Sequence, residues 1–524
     1  MTSLTFYGAV NEIGGNKILL ETGSRNIMFD FGIPYGRRGE FFEEFLKPRA
    51  VAGMRDLFEL DLVPPLKGVY REDLLQPEDW KRIENRPGYR ELSIDALVLS
   101  HAHLDHSGYI SFLKENVPVV SSLVTAVLSK AIQDTSPADF EKEVCYIAPR
   151  EFRDGVYQSA RKVAAVQRPF QVFCQGAISE EVHQFWGDIP ASKGLDCCPL
   201  TGPGTACGDM KQFPVDHSIF GASSFIVETP AGPVCYTGDL RVHGSGAHLT
   251  EAFAVEAARL HPRIMMCEGT RIDSKKRITE DEVYEKALKI VQDCKGLVLA
   301  DFGPRNIERL LIFYRIAVES GRQLVVMGKD AYILDKLGMV MPEVPGITKM
   351  PSLGIYKEPK ALVSTWEKGL REEFASRLVT LEQLRDKQKD YILCFSFWDI
   401  NDLVDLRPVN GTYIYSSSEV YDEEGEMDMK RLHNWVKHFK LNQCGIPAPV
   451  TDKEGRPDWL VPLDQQGLHA SGHASGPELL EIIKRIKPDI LIPIHTEHPA
   501  MFVEALEGTG IEVRLPEYGK VMKV

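Results

Sequence analysis

The sequence predicts an α/β protein: a β-rich unit is interrupted by a second unit with a parallel sheet, and the first unit resumes at the C-terminal end. Three observations predict this. Residues 4–32 read as three strands, "LTFYGAV", "NKILLETG" and "RNIMFDFG", with glycines between them. From residue 250 to 465, helix-period runs alternate with short apolar runs, as in "DEVYEKALKIVQD" before "GLVLADF" and "NIERLLIFYRIAVES" before "RQLVVMG". That alternation is the pattern of a parallel sheet with crossover helices. Finally, "SGPELLEIIKRIKP" and "DILIPIHTEHPA" add one helix and one apolar strand.

The elements between follow in order. Residues 33–92 form a charged, aromatic-containing insertion that is expected to be helical in part. "IDALVLS" (94–100) reads as a buried strand, "SGYISFLKENV" as a helix, "PVVSS" as a strand and "TAVLSKAIQD" as a helix. Residues 160–240 read as strands again, in "QVFCQGAIS", "MKQFPVDHS" and "GASSFIVETPAGPVCYTGD". The expected segments are 1–245, 246–465 and 466–524, which suits a chain of 524 residues.

Composition excludes several classes. Hydrophobic residues make up 44% and charged residues 26%, as in ordinary globular proteins. No apolar run approaches the roughly 18–20 residues of a membrane span. The N-terminus lacks the basic and apolar regions of a signal peptide, so a cytoplasmic protein without a membrane is expected. The 61 basic and 75 acidic residues give a net charge of −14, which argues against binding nucleic acid by bulk electrostatics. Ten cysteines are scattered without a CxxC pair. Cys197, Cys198 and Cys207 are read as reduced thiols rather than as a metal cluster.

The chemistry begins at "VLSHAHLDHSGYI" (98–110), where H-x-H-x-D-H follows an apolar strand. His101 and His103 can be aimed by a turn at one ion, and Asp105 and His106 at a second nearby. Imidazole and carboxylate suit Zn²⁺ or Mn²⁺. Four ligands do not complete two sites, so others must come from further strand ends. His217 in "FPVDHS", Asp239 in "VCYTGDLR" and His495 in "ILIPIHTEH" each close an apolar run. Alone, each is more often a hydrogen-bonded structural residue than a ligand. Their shared placement is what assembles a two-metal cleft from separate segments.

With these motifs in order, the chain resembles the metallo-β-lactamase fold superfamily, and within it the β-CASP nucleases of the ribonuclease J group. "MFDFG" supplies Asp30, the early aspartate beside the metal loop. "CEGTR" resembles motif A with Glu268, "HASGHAS" motif B with His473 and the neighbouring His469, and "PIHTE" motif C with His495. "DFGPRNIERL" resembles the family's Asn/Arg-containing segment. Departures are "CFSFWDINDL" (394–403) where bacterial ribonuclease J has a "GSQGEP"-like stretch, and H-T-E in place of H-G-E in motif C.

The resemblance implies an αββα metallo-β-lactamase sandwich interrupted by an inserted α/β β-CASP domain. It implies two divalent metal ions, Zn²⁺ with Mn²⁺ as the alternative, held by His101, His103, Asp105, His106, His217, Asp239 and His495. The implied reaction is hydrolysis of RNA phosphodiester bonds by a hydroxide that the two metals activate, 5′→3′ or internal. Asp105, Glu268 and His473 are the candidate catalytic residues, with His473 as general acid oriented by Glu268. The alternative for Glu268 is an ion pair with Arg271. His469, Ser471, Gly472, His473 and Ala474 are the candidate phosphate site, at a turn that opens a helix. The alternative there is helix capping by Ser475. The alternatives in function are a small-molecule hydrolase of the same fold and a DNA-directed β-CASP nuclease. Only 29 residues follow His495, so a homo-oligomer built by a ribonuclease J-type C-terminal domain is not expected.

Overall fold

The structure is a computed structural model. It describes residues 2–43, 45–191, 194–204, 210–303, 305–417, 423–451 and 457–524. Cys207 lies outside these residues; the nine described cysteines are free.

Packing divides the chain into two units. The first comprises Met1–Val242, Gly246–Lys276 and His473–Val524, and the second His243–Ser245 and Arg277–Gly472. The division thus falls at 277 and 472 where the sequence placed it at 246 and 465. The reason lies in strand Ile264–Glu268, which pairs in parallel with Val234–Tyr236 on one side and Ile490–Ile494 on the other. Its hydrogen bonds commit residues 246–276 to the first unit.

The first unit is built on two large sheets. One has seven strands, in the order Phe170–Phe173, Val119–Ser122, Ala96–Val98, Asn26–Phe29, Ile18–Glu21, Ser3–Phe6, Val521–Lys523. The other has six, in the order Met210–Pro214, Ser223–Val227, Val234–Tyr236, Ile264–Glu268, Ile490–Ile494, Glu512–Val513. Alternation along each strand decides what meets what. Leu4, Phe6, Ile18, Leu20, Ile27 and Phe29 of the first sheet pack with Phe225, Val227, Val234, Ile264, Met266 and Ile492 of the second. The intervening residues Ile226, Cys235, Met265, Cys267 and Leu491 face outward, against Phe253, Ala254 and Ala257 of helix Ala247–Leu260 and Leu479, Ile482 and Ile483 of helix Gly476–Ile486. Helix Leu123–Thr135 packs on the first sheet, at strands Val119–Ser122 and Phe170–Phe173. This is the αββα sandwich that the motifs implied.

The second unit is built on a seven-stranded sheet whose pairings are all parallel: Leu378–Val379, Leu353–Tyr356, Gln323–Val326, Tyr391–Cys394, Val298–Asp301, Thr412–Tyr415, Asn442–Cys444. Tyr391–Cys394 and Val298–Asp301 are buried along their whole length, as strands covered on both faces must be.

Two local expectations differ. Residues 107–117 form no continuous helix: a turn at Leu104–Ser107 is followed by a 3₁₀ turn at Ile110–Phe112. The Tyr109 amide is drawn to the Phe31 carbonyl instead of continuing a helical ladder. Within 160–240, residues Glu180–Gly187 are helical, capped by the Ser179 side chain on the Val182 amide.

Candidate metal centre

The candidate ligands lie where strands end. Asp30 follows Asn26–Phe29, Asp239 comes three residues after Tyr236, His495 follows Ile490–Ile494, and Glu268 closes its own strand. His217 stands three residues after Pro214. Because these strands run the same way within their sheets, their carboxyl ends share one edge of the sandwich. His103 is the N-cap of the short helix Leu104–Ser107, which carries Asp105 and His106.

The backbone holds this arrangement under tension. Asp30 and His495 adopt left-handed conformations, with φ of 52° and 53°. For a residue with a Cβ this costs about 1 kcal/mol or more, and such cost concentrates at functional sites. Residues 31–33 zip against the metal loop: the Phe31 amide donates to the His106 carbonyl (2.8 Å) and the Ile33 amide to the Leu104 carbonyl (2.9 Å). Between them, a Cβ at Gly32 would stand 1.6 Å from the Asp105 carbonyl oxygen, so no other residue fits.

Two ligand groups form, and they share Asp239. In one, His101, His103, His217 and Asp239 converge; in the other, Asp105, His106, His495 and Asp239. His103 Nδ1 lies 3.1 Å from both His101 Nε2 and His217 Nε2. His495 Nε2 lies 3.3 Å from His106 Nε2 and 3.2 Å from Asp105 Oδ2. For a tetrahedral ion with bonds of about 2.0–2.1 Å, neighbouring ligand atoms lie about 3.3 Å apart. The spacing therefore fits a metal in each group. So does Asp239 Oδ1, a buried acceptor with no hydrogen-bond partner.

The electrostatics favour a cation. Burial first, then neighbouring histidines, drives the pKa of His101 and His217 well below the usual value, which leaves neutral imidazoles ready to ligate. Burial works against a charge on His106, but Asp239, Asp105 and Asp30 outweigh it and raise its pKa. Burial would likewise raise Asp105 and Asp239; His106 and His495 overcome it and hold both carboxyls low.

Outer partners set the tautomers. Asp30 Oδ2 lies 2.7 Å from His106 Nδ1. A carboxylate only accepts, so Nδ1 carries the proton and Nε2 keeps its lone pair for a metal. Ser100 Oγ donates to the same Asp30 oxygen (2.7 Å) and takes His101 Nδ1–H at 3.0 Å. Thr270 Oγ1 stands 2.9 Å from His495 Nδ1. Ser100 and Thr270 escape a sequence reading, because nothing in their type or spacing marks them.

Glu268 meets His473, not Arg271. Its Oε1 lies 3.2 Å from His473 Nδ1 and also accepts the Leu240 amide (2.9 Å); Oε2 accepts the Thr270 amide (3.0 Å). Arg271 instead donates to the His473 carbonyl. Burial opposes protonation of His473, yet the Glu268 charge prevails and raises its pKa to about 9.

The phosphate-site expectation fails at Ala474. Its amide donates to the Leu240 carbonyl (2.6 Å), the Ser475 amide to Glu478 Oε2 (2.8 Å) and the Gly476 amide to the Ser274 carbonyl (2.9 Å). Ser475 and Glu478 form a capping box, so these amides are taken by the protein. Of the remaining candidates, His473 belongs to the first unit, and His469, Ser471 and Gly472 to the second.

Known proteins resemble this chain in sequence and fold. The family model of the Zn-dependent metallo-hydrolase RNA specificity domain matches residues 465–516, the segment that carries His473 and His495. Ribonuclease J of Mycoplasma pneumoniae is 22% identical over 95% of this chain and 68% of its own. Ribonuclease J of Pyrococcus abyssi is 20% identical over 100% of this chain and 97% of its own. The chain is ribonuclease J-like. A crystal structure of an Enterococcus faecalis V583 protein of unknown function has the same fold, with a TM-score of 0.66 and 22% identity over 99% of both chains. This ribonuclease J-like chain combines the metallo-β-lactamase sandwich with an inserted α/β unit of the β-CASP kind. Among the described residues, no helix is long and apolar enough to cross a membrane.

Proposed function

We propose that the chain is a metal-dependent ribonuclease that hydrolyses RNA phosphodiester bonds, with one divalent ion in each ligand group and Asp239 shared between them. The observation that carries this reading is the pair of four-ligand groups beside the Glu268–His473 pair. Imidazole and carboxylate donors favour Zn²⁺, with Mn²⁺ as the alternative. Bound there, divalent ions supply a nucleophile at neutral pH and offset charge on the phosphate oxygens.

The chain's own residues do the rest. His103, Asp105 and His473 are the members of the site that reach solvent, so a phosphodiester approaches over them. Two backbone amides fix Glu268, and Glu268 fixes the His473 ring through Nδ1. His473 Nε2–H is then the donor for the leaving 3′ oxygen, protonated at neutral pH because of Glu268. RNA as substrate rests on the RNA-specificity match and the ribonuclease J relatives. The free described cysteines support action in a reducing cytoplasm.

The test is degradation of a 5′-monophosphorylated RNA labelled at either end, with Mn²⁺ or Zn²⁺, beside a matched DNA. Mononucleotides released from the RNA, and lost in His103→Ala, are expected for a 5′→3′ enzyme; internal fragments would indicate endonucleolytic cleavage. Failure of the metal-loaded protein to cleave either polymer would overturn the reading in favour of a small-molecule hydrolase.

A further inference from the structure

Beneath the ligands, one carboxylate oxygen carries an unusual load. Asp30 Oδ2 lies 2.7 Å from His106 Nδ1, 2.7 Å from Ser100 Oγ and 2.5 Å from Tyr236 Oη. Tyr236 ends strand Val234–Tyr236 of the six-stranded sheet, whereas Asp30 follows strand Asn26–Phe29 of the seven-stranded sheet. The tyrosine hydroxyl therefore crosses the sandwich to reach the residue that orients a metal ligand. Since its proton goes to Asp30, its lone pair is free to accept, and Asn16 Nδ2 donates to it at 2.8 Å. Both residues are buried, and the Asn16 Oδ1 atom is buried without a hydrogen-bond partner. An unpaired buried acceptor costs stability, so the fold gives no stability reason for an asparagine there. The Asn16 backbone is tied to the site as well: its N–H donates to the Asp105 carbonyl (3.2 Å), and its carbonyl accepts the Gly32 amide (3.1 Å).

We infer that Tyr236 and Asn16 are positioning residues of the metal centre: they hold Asp30 where it orients His106, and so set the affinity of the ion in the Asp105–His106–His495 group. The inference rests on the metal-dependent reading above. Asp30 has two oxygens, and Oδ1 is fixed by the Ser100 amide (2.7 Å). Tyr236 adds to Oδ2 a contact from the second sheet, beside Ser100 Oγ and His106 Nδ1, and so fixes the tilt at which the carboxylate meets the His106 ring. Deleting the hydroxyl leaves the ring, its packing on Phe29 (centroids 4.9 Å apart) and all seven ligands in place.

The test is stepwise Zn²⁺ titration of the metal-free protein against a chromophoric chelator, for wild type, Tyr236→Phe, Asp30→Asn and the double variant, with thermal unfolding as a check on folding. The expected result for Tyr236→Phe is one binding step weakened by about tenfold, the lower end for loss of an outer-shell partner, with the other step within about twofold. In the Asp30→Asn background the same substitution should change nothing further, because its effect passes through that carboxylate. Asn16→Ala leaves the tyrosine in place and should weaken the same step by about threefold, which keeps the inference testable if Tyr236→Phe folds poorly. Unchanged steps, equal weakening of both, or an effect that persists without Asp30 would overturn it. A wild-type protein that binds no Zn²⁺ would instead overturn the metal reading itself, so the two failures are distinguishable.

Discussion

Arg241 closes on Asp216 through two contacts, Nε to Oδ2 at 3.0 Å and Nη2 to Oδ1 at 2.8 Å, with both side chains buried. The Arg241 amide also donates to the Asp216 carbonyl at 2.8 Å, and Thr250 Oγ1 receives the Asp216 amide and donates to the Arg241 carbonyl. Asp216 precedes His217, and Arg241 follows Asp239 by two residues. The ion pair thus ties together two loops that each deliver a candidate ligand to the same group. Arg241→Ala leaves a buried carboxylate without its guanidinium and should cost about 3–5 kcal/mol, read as a shift of the urea midpoint. The double variant Arg241→Met/Asp216→Leu should recover much of that stability but not the metal affinity, if the pair also aims His217.

Glu268→Gln keeps the shape of the side chain and an acceptor for the Leu240 amide but removes the charge that raises the His473 pKa to about 9. Without it, burial dominates and the pKa falls. A general acid works in its protonated form, so kcat declines as pH rises through that pKa. The alkaline limb of the kcat–pH profile should therefore move to lower pH in Glu268→Gln. A reduced kcat with an unmoved alkaline limb would confine Glu268 to orienting the ring.

Metal affinity should rise with pH. The carboxylates around His106 raise its pKa in the metal-free site, so an incoming cation must displace a proton from it. Below that pKa, protons compete; apparent affinity should fall by about tenfold per pH unit for each proton displaced. Chelator competition at pH 6 and pH 8 measures this directly, and an affinity that does not vary with pH would show that His106 is already neutral in the metal-free protein.

Much of this was legible in sequence, for reasons that are local. H-x-H-x-D-H places four candidate ligands within six residues, and the ends of apolar strands flag His217, Asp239 and His495 one by one. Strand alternation and the helix–strand pattern carry the two-sheet and parallel-sheet architectures. What was not legible depends on contacts between distant segments. Nothing in the type or spacing of Tyr236 and Asn16 marks them; the second sheet brings the Tyr236 hydroxyl to Asp30, and Asn16 meets that hydroxyl. Residues 107–117 have helix-compatible composition, but the Tyr109 amide is taken by the carbonyl of Phe31, two residues past strand Asn26–Phe29. The amide of Ala474 looked available for an anion because the Leu240 carbonyl that takes it lies more than 230 residues away.

Lys17 is the group in this fold whose stability effect should depend most plainly on pH. Its side chain is fully buried, with Nζ donating to the Gly15 carbonyl (3.0 Å) and lying 5.6 Å and 5.4 Å from the centres of the Phe31 and Tyr109 rings. Burial, and then the Arg37 charge, push its pKa down to about 7, with Glu12 only partly opposing. In the unfolded chain the amine titrates at about 10.4. Between these values the unfolded state holds more protons than the folded one, so stability rises with pH across that window. Below about pH 7 both states are protonated and the full penalty for a buried charge is felt; near pH 10 it has gone. Lys17→Met keeps the length of the side chain and removes the charge. It should raise the melting temperature at pH 6, raise it less or not at all at pH 9, and flatten the pH dependence between them. An equal shift at both pH values would mean that Lys17 stays protonated in the folded protein through pH 9, so that folding leaves its proton in place.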